Sequence, residues 1–120
     1  MQVLITFLMT SDGVISKEYH GVGKWQNNQL SFLDNARDTF NISFFENEIH
    51  LERIGFHPLL MKYSLGKKSV GKLSTDNTTI ELNLYTNHLL VEEHHLDIEY
   101  SVIDEEVIFS KHHILMDWEL

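Results

Sequence analysis

The sequence predicts an all-β protein, a single up-and-down antiparallel barrel of eight to ten strands. Three observations carry this. In run after run, apolar residues recur at every second position, the period of a strand with one buried face. Short clusters of Asp, Asn, Gly and Glu separate those runs. No stretch sustains a period near 3.6, so helix is at most a minor component. The 120 residues suit one domain over 1–120, and 42% of them are hydrophobic, enough for a real core.

Taken in order, Gln2 to Thr10 is the first run, and Ser11-Asp12-Gly13 turns it, since Asp-Gly supplies the positive φ of a tight hairpin. Val14 to Trp25 returns. Gly21 and Gly23 inside it mark a bend or a close backbone approach, as barrel strands need. Gln26-Asn-Asn-Gln29 turns, Leu30 to Leu33 is a short strand, and Asp34-Asn35 turns again. Phe40, Ile42 and Phe44 then alternate with polar neighbours, as do Ile49, Leu51 and Arg53. A tight turn at Asn47-Glu48 sets Phe44 opposite Leu51 and Ile42 opposite Arg53, which puts Arg53 on the inner face. Gly55 to Pro58 is a loop.

Met61, Tyr63 and Leu65 alternate next. A three-residue loop, Gly66-Lys67-Lys68, sets Tyr63 over Gly71 and Met61 opposite Leu73. A turn at Asp76-Asn77 pairs Leu73 with Ile80 and Gly71 with Leu82, and outside it lays Lys72 between Lys62 and Glu81. Thr78 to Thr86 is a clean strand. Asn87 to Glu93 reads either as a short strand or as a bent lead-in. Leu96, Ile98, Tyr100 and Val102 alternate up to the turn Asp104-Glu105-Glu106. Ile108, Ser110, His112, Ile114 and Met116 come back, with Glu99 opposite Lys111 and Asp97 opposite His113 outside. Successive hairpins with one inner apolar face favour closure over a sandwich, because a barrel removes exposed edges.

Composition narrows the partners. The formal charge of −9 argues against nucleic acid and against an anionic membrane surface, both of which need a positive face. There are no cysteines, so no disulfide framework, which suits a cytoplasmic protein. The apolar start MQVLITFLMT lacks a basic leader region, and no run reaches the ~18 residues of a membrane span. Positive charge is concentrated instead: Arg53 to Thr75 holds five of the nine Lys and Arg residues and no acid.

The ordered set Arg53-Ile-Gly55, Met61-x-Tyr-x-Leu-Gly66, Gly71-x-Leu-x-Thr75, Ile80-x-Leu, Thr86-x-x-Leu89, Leu96-x-Ile-x-Tyr100 and Ile114-x-Met116 resembles the YwiB-like family of small bacterial proteins. The resemblance spans about residues 30 to 118. It implies a calycin-like, lipocalin-like barrel and no activity, because the family has none assigned.

Function is read from the inner face. Arg53 there is either an anion anchor for the headgroup of a small amphipathic ligand or a structural arginine bonded to loop carbonyls or an aromatic face. Tyr63, Tyr100 and His112, with Ser110, add polar groups that either orient a ligand or bond one another. The expected ligand-binding set is therefore Arg53, Tyr63, Tyr100 and His112, for an apolar or anionic small molecule inside the barrel. The alternative is a filled barrel that acts through its surface, as an interaction module or homo-oligomer, with Lys62, Lys67 and Lys68 meeting an acidic segment such as 92–106 of another copy. His94-His95 and His112-His113 cannot chelate as adjacent pairs, since neighbours on a strand face opposite ways. No metal, cofactor or catalytic residue is assigned. No nucleophile and base stand at a recognisable spacing, which speaks against an enzyme.

Overall fold

In the computed structural model, which describes residues 1–120, the chain runs through ten strands. They are β1 (Gln2–Ser11), β2 (Val14–Gln26), β3 (Gln29–Leu33), β4 (Thr39–Phe45), β5 (Glu48–Ile54), β6 (Leu59–Tyr63), β7 (Lys68–Ser74), β8 (Thr79–Glu92), β9 (His95–Asp104) and β10 (Val107–Glu119). Every strand pairs antiparallel with its sequence neighbours, and β10 closes on β1. The result is the predicted all-β barrel at the upper end of the expected strand number, with no helix.

Turn chemistry explains most of the connections. Asp12 (φ 50°) and Gly13 (φ 82°) form the β1–β2 tip, and Asn27 (φ 54°) and Asn28 (φ 58°) form the β2–β3 tip. Positive φ at both central residues matches the right-handed twist of the flanking strands. The β9–β10 tip uses the same geometry on two residues poorly suited to it, Glu105 (φ 49°) and Glu106 (φ 67°).

Three hairpins differ from expectation by two residues. The β4–β5 turn falls on Glu46-Asn47, so Ile42 faces Leu51 and Phe40 faces Arg53. Strands β6 and β7 pair only at Leu59–Leu73 and Leu60–Lys72 before parting. Met61 rather than Tyr63 therefore covers Gly71, where an added Cβ would lie 2.5 Å from the Met61 sulfur. Between β9 and β10 a bulge at Phe109 sets His113 opposite Glu99 and Lys111 opposite Ser101. A slip of two leaves every side chain on its face, so alternation is blind to it and only turn and bulge geometry decide. Leu73–Ile80, Gly71–Leu82 and Lys72–Glu81 pair as expected. Lys72 has Leu60 rather than Lys62 as its other neighbour.

Of the stretch Asn87 to Glu93, all but Glu93, which turns, completes β8 across a bulge between Thr86 and His88. The extra residue switches the parity, which is why alternation breaks there: Leu84 and Thr86 face inward before it, Leu89 and Val91 after it. Opposite the bulge, the 64–67 connection is tied into β8. The Thr86 hydroxyl accepts from the Ser64 amide at 3.2 Å, and the Gly66 amide donates to the Thr86 carbonyl at 2.9 Å.

The lumen between β1 and β5 is filled by aromatic rings. Phe7 lies 5.4 Å from Phe32 and 5.6 Å from Phe40, while Phe32 stacks on Phe40 at 5.1 Å and on Tyr19 at 4.6 Å. Gly23 lets β1 and β3 approach β2: a Cβ there would stand 2.2 Å from Ile5 Cδ1 and 2.7 Å from the Ser31 carbonyl. The β3–β4 loop is organised by buried Asp34, whose Oδ1 accepts the Ala36 and Asp38 amides at 2.9 Å each while Oδ2 meets the Lys17 ammonium. Burial alone would raise the Asp34 pKa, but Lys17 and the two amides outweigh it and hold the carboxyl below its ordinary value.

Candidate functional site

The inner face differs at its two ends. At the end where β1 begins and β8 finishes, inward residues of five strands leave an open mouth of about 440 Å³. Val3, Trp25, Phe44, Val91 and Trp118 line it, with Met1, Leu120, Glu92, Glu93 and His94 at the rim. Trp25 stacks on Trp118 at 5.9 Å, and Phe44 closes against both, at 5.6 Å and 5.4 Å. The strand pattern places these rings: Trp25 follows Tyr19, Gly21 and Gly23 on the inner face, Phe44 follows Phe40 and Ile42, and Trp118 follows Ile114 and Met116. Buried Leu30, Ile42, Leu96 and Met116 lie behind them in the same inner core. Both indoles line the opening, Trp118 with 7% of its surface exposed and Trp25 half-buried.

Six residues back along β10, roughly 20 Å at strand rise, the same face is polar. The structure brings Tyr63, Tyr100 and His112 together from β6, β9 and β10. Tyr100 packs on Tyr63 with centroids 4.8 Å apart and stacks flat on His112 at 4.9 Å. His112 has both ring nitrogens engaged, Nδ1 with the Ser11 hydroxyl at 2.8 Å and Nε2 with the Ser110 hydroxyl at 2.7 Å. Burial lowers its pKa, against the opposing pull of Asp12, so the ring is neutral near pH 7, one nitrogen donating and the other accepting. Burial, and next the neighbouring Tyr100 hydroxyl, push the Tyr63 phenol well above its ordinary range. Tyr100 is raised by burial, which the Tyr63 hydroxyl partly offsets. The Tyr63 hydroxyl lies beside that of Tyr100 but makes no well-aligned hydrogen bond, and it is fully buried.

Arg53 does not join this seam. Its Nε and Nη2 donate to the His57 carbonyl at 3.1 Å and 2.9 Å, pinning the β5–β6 loop. Of the two roles open to it in sequence, this geometry is that of an arginine bonded to a loop carbonyl. The charge pair that sequence reading missed is Lys17–Asp34, with the Asp34 side chain 2% exposed and the Lys17 ammonium 5.6 Å from the Phe40 ring centre. Alternation had marked Asp34 only as a turn residue, and nothing local names Lys17 as its partner.

The outer histidines pair with carboxylates. His113 Nε2 lies 2.6 Å from Asp97 Oδ1, His88 Nε2 lies 3.7 Å from Asp97 Oδ2, and His95 Nδ1 lies 2.6 Å from Asp117 Oδ1. The Asp117 hydrogen bond, against a smaller effect of burial, raises the pKa of His95. No three or more His, Asp and Glu side chains are arranged to hold a metal ion. In the basic stretch Lys68 bonds Glu106 of its own chain at 2.9 Å, which takes one member of the Lys62, Lys67 and Lys68 set away from an outside partner.

Comparison with known proteins bears on the fold and the family. No curated protein matches the sequence. The structure is similar to the crystal structure of the ywiB protein from Bacillus subtilis, with a TM-score of 0.70 over 98% of this chain and 89% of that one. At 16% identity the likeness speaks to the fold alone. The family model described as "Domain of unknown function (DUF1934)" matches residues 6–116. With nearly its whole length matched, the chain belongs to the DUF1934 family.

Proposed function

We propose that this protein binds a small amphipathic ligand whose apolar part sits in the mouth formed by Trp25, Phe44 and Trp118. One observation carries this reading. Deeper in the lumen aromatic and aliphatic side chains fill the space, whereas the mouth leaves about 440 Å³ open against aromatic rings. A concave apolar site with a few polar groups at its edge is the usual form of a small-molecule pocket. The expected place for a ligand thus moves from the middle of the barrel to its end.

The test uses N-phenyl-1-naphthylamine, a neutral apolar fluorophore. It should brighten on binding and accept energy from the tryptophans. Val91→Trp, at a half-exposed mouth position, should block the site without disturbing the core. Equal brightening in wild type and in Val91→Trp places the probe elsewhere and defeats the reading.

A second reading rests on the buried Tyr63 hydroxyl without a partner. A native buried hydroxyl left unpaired calls for a reason, and one is a polar group or water delivered beside Tyr100 and His112. Tyr63, Tyr100 and His112 would then act as hydrogen-bonding groups, with Arg53 outside the set.

A further inference from the structure

We propose that the ligand of the aromatic mouth is an organic cation, an ammonium group carried on an apolar body. This rests on the reading of the mouth as a ligand site and names its chemistry. Two different features of the rim converge on it.

The first is the rings. Trp25, Trp118 and Phe44 gather within 6 Å of one another around one opening. An indole face carries negative quadrupolar potential, and it draws an ammonium more strongly than a phenyl face does. The second is the charge. Glu92 and Glu93 are exposed at the edge of the opening, and no lysine or arginine lines it. The whole chain carries −9, so the long-range field also favours a cation and repels a carboxylate or sulfate. The Met1 α-amino group, which donates to the Trp25 carbonyl at 3.2 Å, offsets one of the two carboxylates and leaves the rim net negative. An apolar ligand with a negative headgroup would set that headgroup against two carboxylates. A ligand with a quaternary or alkyl ammonium headgroup would set it between those carboxylates and the indoles, with its tail toward Val3 and Val91.

The chain has two tryptophans, and both line this opening, so intrinsic fluorescence reports on the site directly. Octyltrimethylammonium, octyl glucoside and octyl sulfate, all below their micellar concentrations, share a tail and differ in headgroup charge. Titration of tryptophan emission should rank them cation, neutral, anion, with the cation about tenfold tighter than the neutral probe. Glu92→Gln with Glu93→Gln should reduce that advantage and leave the neutral probe unchanged. Added salt should weaken the cation alone. If octyl sulfate binds as tightly as the ammonium, the cation assignment fails while the mouth remains a ligand site. If none of the three changes the emission, both the mouth and its cation are overturned.

Discussion

The aromatic mouth and the polar seam share the inner face of one barrel, and β10 runs through both. Strand β10 supplies Trp118 to one and His112 to the other. At the mouth the side chains need no hydrogen bonds beyond what the rim provides, so a gap can stay open at little cost. In the seam polar groups draw their neighbours in, Ser11 and Ser110 onto His112, while Tyr100 packs against Tyr63 and leaves the buried Tyr63 hydroxyl without a well-aligned hydrogen bond. The apolar opening and the hydrogen-bonded polar groups therefore lie apart along the barrel. The end whose chemistry looked functional in sequence has a smaller, mostly polar opening of about 300 Å³ that Tyr100 and His112 help to line, and the end that looked like ordinary core has the larger, apolar one of about 440 Å³.

The largest expected difference between the two comes from truncation. Trp118→Ala should cost about 3–5 kcal/mol of unfolding free energy in a denaturant titration, the usual loss for a buried tryptophan. A loss under about 1 kcal/mol would mean that the rings are less packed than they appear and that the mouth is a loose surface feature. In the seam, Tyr63→Phe removes a hydroxyl that has no partner, so stability should stay level or rise by up to about 1 kcal/mol. A clear loss would show that the hydroxyl is bonded to an ordered water or ligand, and would favour the seam over the mouth as the functional site.

The smallest effect is in pH. His112 has its pKa lowered on folding, so the unfolded chain binds more protons in the range between the lowered folded value and the unfolded value near 6.5. Its contribution is present above pH 6.5 and is lost as pH falls through the folded pKa. His95, raised by Asp117, has the opposite sign: its contribution is present below pH 6.5 and is lost as pH rises through the folded pKa. Both groups are substantially solvated, so melting temperatures should shift modestly. His112→Gln should flatten the acid side of the profile and His95→Gln the neutral side. A profile unchanged by His112→Gln would remove the seam's burial from the account.

Much of the architecture was legible before the structure. Alternation along Phe40–Phe44, Leu96–Tyr100 and Ile114–Met116 placed those residues on the inner face, because in a closed barrel one face meets a core and the other meets water. Turn chemistry at Asp12-Gly13 and Asn27-Asn28 located two tips, because few residues tolerate positive φ. It did less well at Glu46-Asn47, where the turn begins one residue earlier than expected, and at Phe109, where nothing in the residue types announces a bulge.

What the sequence by itself determined is the class of fold and the facing of most inward residues, Tyr63, Tyr100 and His112 among them. A period of two and a short list of turn residues suffice for that. Only the tertiary structure decided the register of three hairpins, the partner of Asp34, the bonding of Arg53 to the His57 carbonyl and the place of the apolar opening. Those depend on strand stagger around a closed barrel. Stagger brings residues as distant as Trp25 and Trp118 together, and no local pattern in the chain records it.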